Sequence, residues 1–306
     1  MGMKTVVREV ILPQGTIRYR DEGEGPVLLF VHGLLVDGTV WRKVAAPLSK
    51  RFRCIAPDWP LGSHAVPMSP DADLTPDGVA KIVAAFLDAL DLRDVILVGN
   101  DSGGAICQLV VARYGERVGR LVLTTCDAFE VFPPRLFSYL KVVTRIPGVM
   151  ALLGWSMLAA PILRRLPMAY GIVSKHRIDD AVLTEWIRPA ATNADVRRDL
   201  AKFIRGVSPR VTMEVARELP AVSQPVLLVW TPEDRCFPMS LADRLMKTFR
   251  DARLVRVDDA FVFVQEDQPD AVVAAIDHFA VTSRTSASEP RVTSKIRASA
   301  AAAVTR

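Results

Sequence analysis

The stretch Asp94-Val95-Ile96-Leu97-Val98-Gly99-Asn100-Asp101-Ser102-Gly103-Gly104-Ala105-Ile106-Cys107-Gln108 decides how the chain is read. Its apolar start predicts a buried strand, its small-residue centre a tight turn, and the remainder an amphipathic helix. A strand–turn–helix of this kind lifts one side chain above the end of a sheet, with small residues on either side. Laid on the pattern Gly-x-nucleophile-x-Gly, it runs Gly99, Asn100, Asp101, Ser102, Gly103, so an aspartate takes the raised position. Moving the frame by one raises Ser102 instead and puts Asn100 where the bend wants almost no side chain. Asparagine tolerates left-handed angles, so the second frame stays open. A tight connection without chemistry is the plainer reading, and only the other landmarks of the chain argue against it.

At 306 residues, half of them hydrophobic, the chain can bury a large core as one α/β domain or as a core with an insertion. Part of the formal charge of +5 lies after Phe279, where Arg284, Arg291, Lys295, Arg297 and Arg306 face a single Glu289. No basic stripe interleaves with aromatic residues, so nucleic acid is not expected as a partner. Cys54, Cys107, Cys126 and Cys236 stand singly in apolar or strand-end contexts without metal-ligand spacing. They predict buried thiols in a reducing compartment, and neither metal nor cofactor. The start runs into alternating residues rather than an apolar signal core, and no apolar run reaches membrane-spanning length. The expectation is a soluble cytoplasmic protein without a membrane partner, working on a small molecule; nothing in the composition bears on oligomeric state.

Outward from the central stretch, Val6 to Leu12 and Thr16 to Asp21 predict a hairpin around Pro13-Gln14-Gly15. Pro26 to Val31 is a continuous apolar run ending in His32-Gly33-Leu34-Leu35, and Arg53 to Pro57 is a short strand closing on Asp58-Trp59-Pro60-Leu61-Gly62-Ser63-His64. Thr75-Pro76-Asp77 starts a helix that runs to about Leu90, and Arg120 to Thr125 is a further strand. From Phe129 to about Glu218 the pattern is helical and broken by prolines. Strands resume with Gln224 to Trp230, which ends in Thr231-Pro232-Glu233-Asp234, and with Arg253 to Val257; helices cover Ser240 to Phe249 and Pro269 to Phe279. This alternation predicts an α/β fold, a mostly parallel central sheet with helices on both faces, with ligands at the carboxyl ends of the strands. Residues 1–127 and 219–281 form the core, 128–218 an inserted helical lid, and 282–306 a disordered tail.

Four landmarks at those strand ends, Val31-His32-Gly33, Asp58, Gly99 to Gly104, and Trp230 to Asp234, resemble the α/β-hydrolase superfamily over about Val6 to Phe279. The resemblance implies an oxyanion hole from the amides of Leu34, or Leu35, and Ser102. It makes Asp234 the acid that orients a catalytic histidine, with Asp127 and Glu130 as fallbacks, although an aspartate there also suits a plain turn. His32 would mainly shape the oxyanion loop; His32 and Trp59, with Tyr139 and Tyr170 from the lid, are expected around the substrate.

An aspartate at the raised position resembles the haloalkane dehalogenase and soluble epoxide hydrolase branches. A carboxylate, ionised near neutral pH, attacks an sp³ carbon without a base. The enzyme ester it forms must then be hydrolysed with a general base, which these families take from a histidine after the last strand. Here Phe261 and Val262 stand where that segment carries glycine and histidine. His32, His64, His176 and His278 are the chain's histidines, and a loop role suits His64 better than catalysis. The second step is therefore expected to be slow unless Asp234, or Glu266 through water, acts as base. Ser102 also replaces the tryptophan that follows the dehalogenase nucleophile and holds the halide, while Tyr139 and Tyr170 suit the tyrosines of epoxide hydrolases. Three readings follow: a hydrolase of a small apolar epoxide, alkyl halide or ester using Asp101; a non-hydrolytic or impaired relative acting as binding protein, lyase or isomerase; and an esterase using Ser102.

Overall fold

Three apolar runs lie inside the sheet, each between two other strands, and their side chains are buried almost throughout, as runs without polar alternation require of strands covered on both faces. The computed structural model describes residues 6–288. Its strands are β1 (Val6–Leu12), β2 (Gly15–Glu22), β3 (Val27–Val31), β4 (Arg53–Pro57), β5 (Val95–Asp101), β6 (Val118–Cys126), β7 (Val226–Trp230) and β8 (Ala252–Arg256). They lie side by side in one eight-stranded sheet, ordered β1-β2-β4-β3-β5-β6-β7-β8. The predicted hairpin makes β1 antiparallel to β2, β2 is antiparallel to β4, and every other neighbouring pair is parallel.

Between strands run α1 (Arg42–Leu48), α2 (Pro76–Ala89) and α3 (Ser102–Arg113). The start of α2 follows its sequence signal: Thr75 Oγ1 accepts the Gly78 amide at 3.2 Å and Pro76 occupies the first turn. The stretch between β6 and β7 holds α4 (Leu140–Val143), α5 (Val149–Ala159), α6 (Asp180–Thr192), α7 (Ala194–Gly206) and α8 (Pro209–Glu218). After β7 come α9 (Met239–Thr248), α10 (Val264–Asp267) and α11 (Pro269–Ser288). No described helix is long and apolar enough to cross a membrane.

Two features position the site. β3 lies between β4 and β5, so the chain leaves β3 toward one side of the sheet and β5 toward the other. A crevice opens above the carboxyl ends of two neighbouring strands where their connections part. Second, the loop after β8 is fastened to the inserted helices. Asp267 accepts hydrogen bonds from Ser174 Oγ at 2.7 Å and from the amides of Lys175, His176 and Phe261 at 2.8, 2.9 and 2.9 Å. The Phe263 amide donates to Val173 O at 2.6 Å.

One expectation needs correction. α11 runs on to Ser288, through residues 282–288 of the stretch read as a disordered tail. Ser283 Oγ donates to Phe279 O at 2.6 Å and Thr282 Oγ1 to His278 O at 3.0 Å, so hydroxyls that composition alone reads as loop-forming turn back onto the helix. Residues 289–306 lie outside the described residues.

Candidate active site

Asp101 closes β5 with φ 53° and ψ −133°, and α3 begins at Ser102. A left-handed backbone at a non-glycine residue costs about 1–3 kcal/mol and persists only where the surroundings impose it. Here they do. A Cβ on Gly103 would lie 2.3 Å from Val31 O, so α3 must start hard against β3 and the chain has to bend sharply at residue 101. The structure thus puts Asp101, not Ser102, at the tip of the bend.

The carboxylate is held from two sides. Leu34 N donates to Asp101 Oδ2 at 3.1 Å, and the amide of Ser102 also faces the carboxylate. Leu35, itself at φ 56°, gives its amide to Leu61 O at 3.0 Å, so Leu34 rather than Leu35 supplies the donor from this loop. Burial pushes the Asp101 carboxyl up to about 6 against the pull of those two amides. Asp101 keeps some accessible surface, whereas Ser102, Asp127 and Asp234 are buried.

Two further carboxyl groups respond to its charge. Asp127, just past β6, accepts Ser102 Oγ at 3.0 Å on Oδ2 and leaves Oδ1 without a partner. Burial, then repulsion from Asp101, holds it well above the usual carboxylate range. Asp234, in the loop after β7, spends Oδ1 on the amides of Cys236 and Phe237 at 2.7 and 3.0 Å, the turn that its position in sequence suggests. Its Oδ2 is buried without a partner, and burial pushes the carboxyl up to about 7. Among the described residues no cluster of three or more His, Cys, Asp or Glu is arranged to hold a metal ion.

The shift at Asp234 has a stability consequence. Between its unfolded value near 3.8 and its folded value of about 7, the folded chain keeps a proton that the unfolded chain has lost. Stability from this group therefore falls as pH rises through that window and is flat above it, by at most about 4 kcal/mol. Asp234→Asn retains a carbonyl acceptor for both amides. It is expected to melt about 5 °C higher than the parent at pH 8 and level with it at pH 4 in paired thermal melts. An equal difference at both pH values would refute the assignment.

Several expected site residues are engaged elsewhere. His32 places Nδ1 2.8 Å from Gly33 O and accepts the Trp59 amide on Nε2 at 2.8 Å, and burial lowers its pKa to about 4. It is a neutral brace for the loop after β3, with both ring nitrogens occupied. Trp59 is fully buried, donates Nε1–H to Phe30 O at 3.0 Å and meets Phe86 edge-on, so its ring belongs to the core rather than to a substrate. Tyr139 and Tyr170 donate their hydroxyls to the carbonyls of Met168 and Leu35 at 2.6 and 2.7 Å, which leaves neither proton free for an opening epoxide.

Glu130 pairs with Arg244 on the surface, and Glu266 is gripped by Arg42 and Lys43, which removes the first as fallback acid and the second as base. His64 pairs with Asp199 at 3.2 Å and His176 with Asp259 at 2.9 Å, while His278 lies exposed on α11. No imidazole is hydrogen-bonded to Asp101, Ser102, Asp127 or Asp234.

Val262 is buried in the loop after β8, and its carbonyl accepts Thr125 Oγ1 at 2.6 Å and Asn100 Nδ2 at 2.8 Å. Sequence reasoning considers Asn100 only for its tolerance of the bend in the shifted frame. In the folded chain Asn100 is a bracket, and its Oδ1 also accepts Gln265 Nε2 at 2.9 Å. The available signal was its placement beside the raised residue.

Comparison with known proteins agrees with this geometry. Residues 26–269 match the model of the alpha/beta hydrolase fold family, and the chain belongs to it. Haloalkane dehalogenase 2 of Mycobacterium tuberculosis is 31% identical over 268 residues, which cover 86% of this chain and 91% of the relative. A cis-3-alkyl-4-alkyloxetan-2-one decarboxylase of Shewanella oneidensis is 24% identical over 287 residues, covering 89% of this chain and 87% of that one. Among solved structures, an α/β hydrolase fold protein from Burkholderia ambifaria superposes with a TM-score of 0.74 at 25% identity, over 90% of this chain and 98% of that one. By family the protein is an α/β hydrolase, and over most of its length it is similar to haloalkane dehalogenases.

Proposed function

We propose that the protein hydrolyses small apolar substrates, alkyl halides first among them, with Asp101 as nucleophile beneath a lid formed by residues 128–218. The observation that carries this reading is the carboxylate at the strained tip of the bend, with Oδ2 held by Leu34 N and with some surface left accessible. The other oxygen attacks the carbon, the carbon–halogen bond breaks with its electron pair leaving on halide, and an ester of Asp101 forms. Water then adds to the Asp101 carbonyl carbon. Charge develops on Oδ2, which the Leu34 amide faces, with the Ser102 amide also turned to the carboxylate, and the alcohol departs as the carboxylate returns.

The water must give up a proton. Asp234, pushed up to about 7 and with Oδ2 unpartnered, takes it near neutral pH and returns it to the departing alcohol oxygen. The attack step needs ionised Asp101 and rises with pH through about 6. The mycobacterial relative's name favours halides over epoxides and esters. Four free, buried cysteines suit the reducing cytoplasm.

Incubation with alkyl halides, epoxides and esters, followed by halide assay and intact mass, tests the reading. Halide release together with an alkyl adduct mapped to Asp101 is expected; neither signal across the panel would sink it. Gly33→Ala probes the same geometry, because a Cβ there would lie 2.0 Å from Asp101 Oδ2. Displacing the carboxylate by about 1 Å is expected to lower adduct formation about 100-fold.

A second reading, a lyase using these carboxyl groups as acid–base groups, is favoured by Asp127, which burial keeps protonated, and by the decarboxylase relative. Carbon dioxide released from a cis-3,4-dialkyl-oxetan-2-one would decide for it. Ser102 as an esterase nucleophile is disfavoured because its hydroxyl is given to Asp127, so an organophosphate probe is expected to leave Ser102 unlabelled.

A further inference from the structure

Residues 131–178 contain no Asp or Glu and seven Lys or Arg, whereas the other 258 residues carry 32 Lys or Arg against 34 Asp or Glu. The same stretch holds nine of the thirteen exposed large apolar side chains among the described residues, with Leu152, Ile162, Val142 and Trp155 the most open. Soluble surfaces scatter such side chains singly, and a concentration of this kind marks a contact.

The local structure shows why these side chains stay outside. α5, with the sequence VMALLGWSMLA, is apolar around its whole circumference, so no rotation can hide all of it. It is seated on α6 through Gly154, where an added Cβ would lie 2.7 Å from Ala191 Cβ, and Leu152, Leu153 and Trp155 are left pointing outward. Around this apolar face Arg135, Lys141, Arg145 and Arg165 enter no ion pair among the described residues, whereas fourteen other arginines do.

We infer that α5 and its flanks, residues 135–168, are a docking surface for an anionic phospholipid bilayer, on which the protein lies without crossing it. Charge complementarity selects this occupant. An apolar face rimmed by unpaired cations, with no acid over the whole stretch, matches acyl chains bordered by phosphates. A second copy of the chain would have to bring the same cations face to face across an isologous contact. The absence of a spanning segment is no objection, because an interfacial surface needs none.

Trp155 makes the test direct. Of the five tryptophans, Trp41, Trp59, Trp186 and Trp230 are fully buried, while Trp155 is 55% exposed. The full chain is mixed with vesicles of phosphatidylcholine alone or of equal parts phosphatidylcholine and phosphatidylglycerol, and both flotation and emission are read. Co-flotation with the anionic vesicles and a blue shift are expected, weakening as ionic strength rises from about 0.1 M to about 1 M. Trp155→Phe should abolish the shift but keep flotation. Lys141→Gln with Arg145→Gln should lower partitioning about 30-fold. Leu152→Glu with Trp155→Glu, both on the surface and checked for folding by circular dichroism, should abolish it. No flotation with anionic vesicles overturns the inference. So does flotation indifferent to these substitutions, or a dimer in light scattering that the double glutamate variant dissociates while vesicles stay unbound.

Discussion

Asp101→Asn is expected to lose halide release by at least about 10⁴-fold and to form no alkyl adduct. The amide is nearly isosteric and can still accept from Leu34 N, so the bend and the oxyanion loop should survive. What disappears is the negative charge that makes the oxygen nucleophilic. The variant should also be more stable than the parent above pH 6, because burial raises the Asp101 carboxyl to about 6 and the charged form is the costly one. Loss of activity with a raised melting temperature therefore separates a chemical role from a folding defect. Turnover that survives Asp101→Asn and disappears in Ser102→Ala would transfer the nucleophile to the neighbouring residue.

Val262→His is expected to act on the other half of the cycle. With no imidazole hydrogen-bonded to Asp101, the parent should release about one halide per molecule in a burst and then continue slowly. A general base contributes about 10²–10⁴ to a step that needs one, so the steady rate of the variant should rise within that range while the burst is unchanged. The loop can accept the change because its backbone is fixed independently of the side chain, through Val262 O to Thr125 and Asn100. Val262→Ala controls for the cavity. A folded Val262→His with an unaltered steady rate would mean that the ester already meets an adequate base, and Asp234→Asn should then slow it. If neither substitution moves the rate, ester hydrolysis is not part of the reaction.

Much of the fold is written in runs that need no partner to be read. Val27–Val31, residues 95–98 and Val226–Trp230 are apolar without alternation, and only a strand covered on both faces satisfies them. The bend at Asp101 is legible for a similar reason, since its glycines lie within the same dozen residues. What the sequence does not display are contacts between distant segments. Nothing near Trp59 says that its indole faces Phe30 O, and nothing near Tyr170 says that its hydroxyl ends on Leu35 O, 135 positions away. Asp127 and Glu130 look equivalent as strand-end acids until β6 places one against Ser102 and the turn beyond it sends the other to Arg244. The extension of α11 was hidden because Ser, Thr and Ala serve a helix end and a loose tail equally well.

Asp267 gathers four donors onto one carboxylate, three of them from Ser174, Lys175 and His176 and one from Phe261. The stretch before α6 and the stretch that carries Val262 are therefore riveted at this carboxylate and again where Val173 O takes the Phe263 amide. They open together or not at all. Amide protons of Lys175, His176 and Phe261 should exchange with solvent deuterium at a common, slow rate, while those of α5, whose outer face is exposed at Leu152, Leu153 and Trp155, exchange earlier. Lifting the stretch before α6 would therefore carry residue 262 away with it.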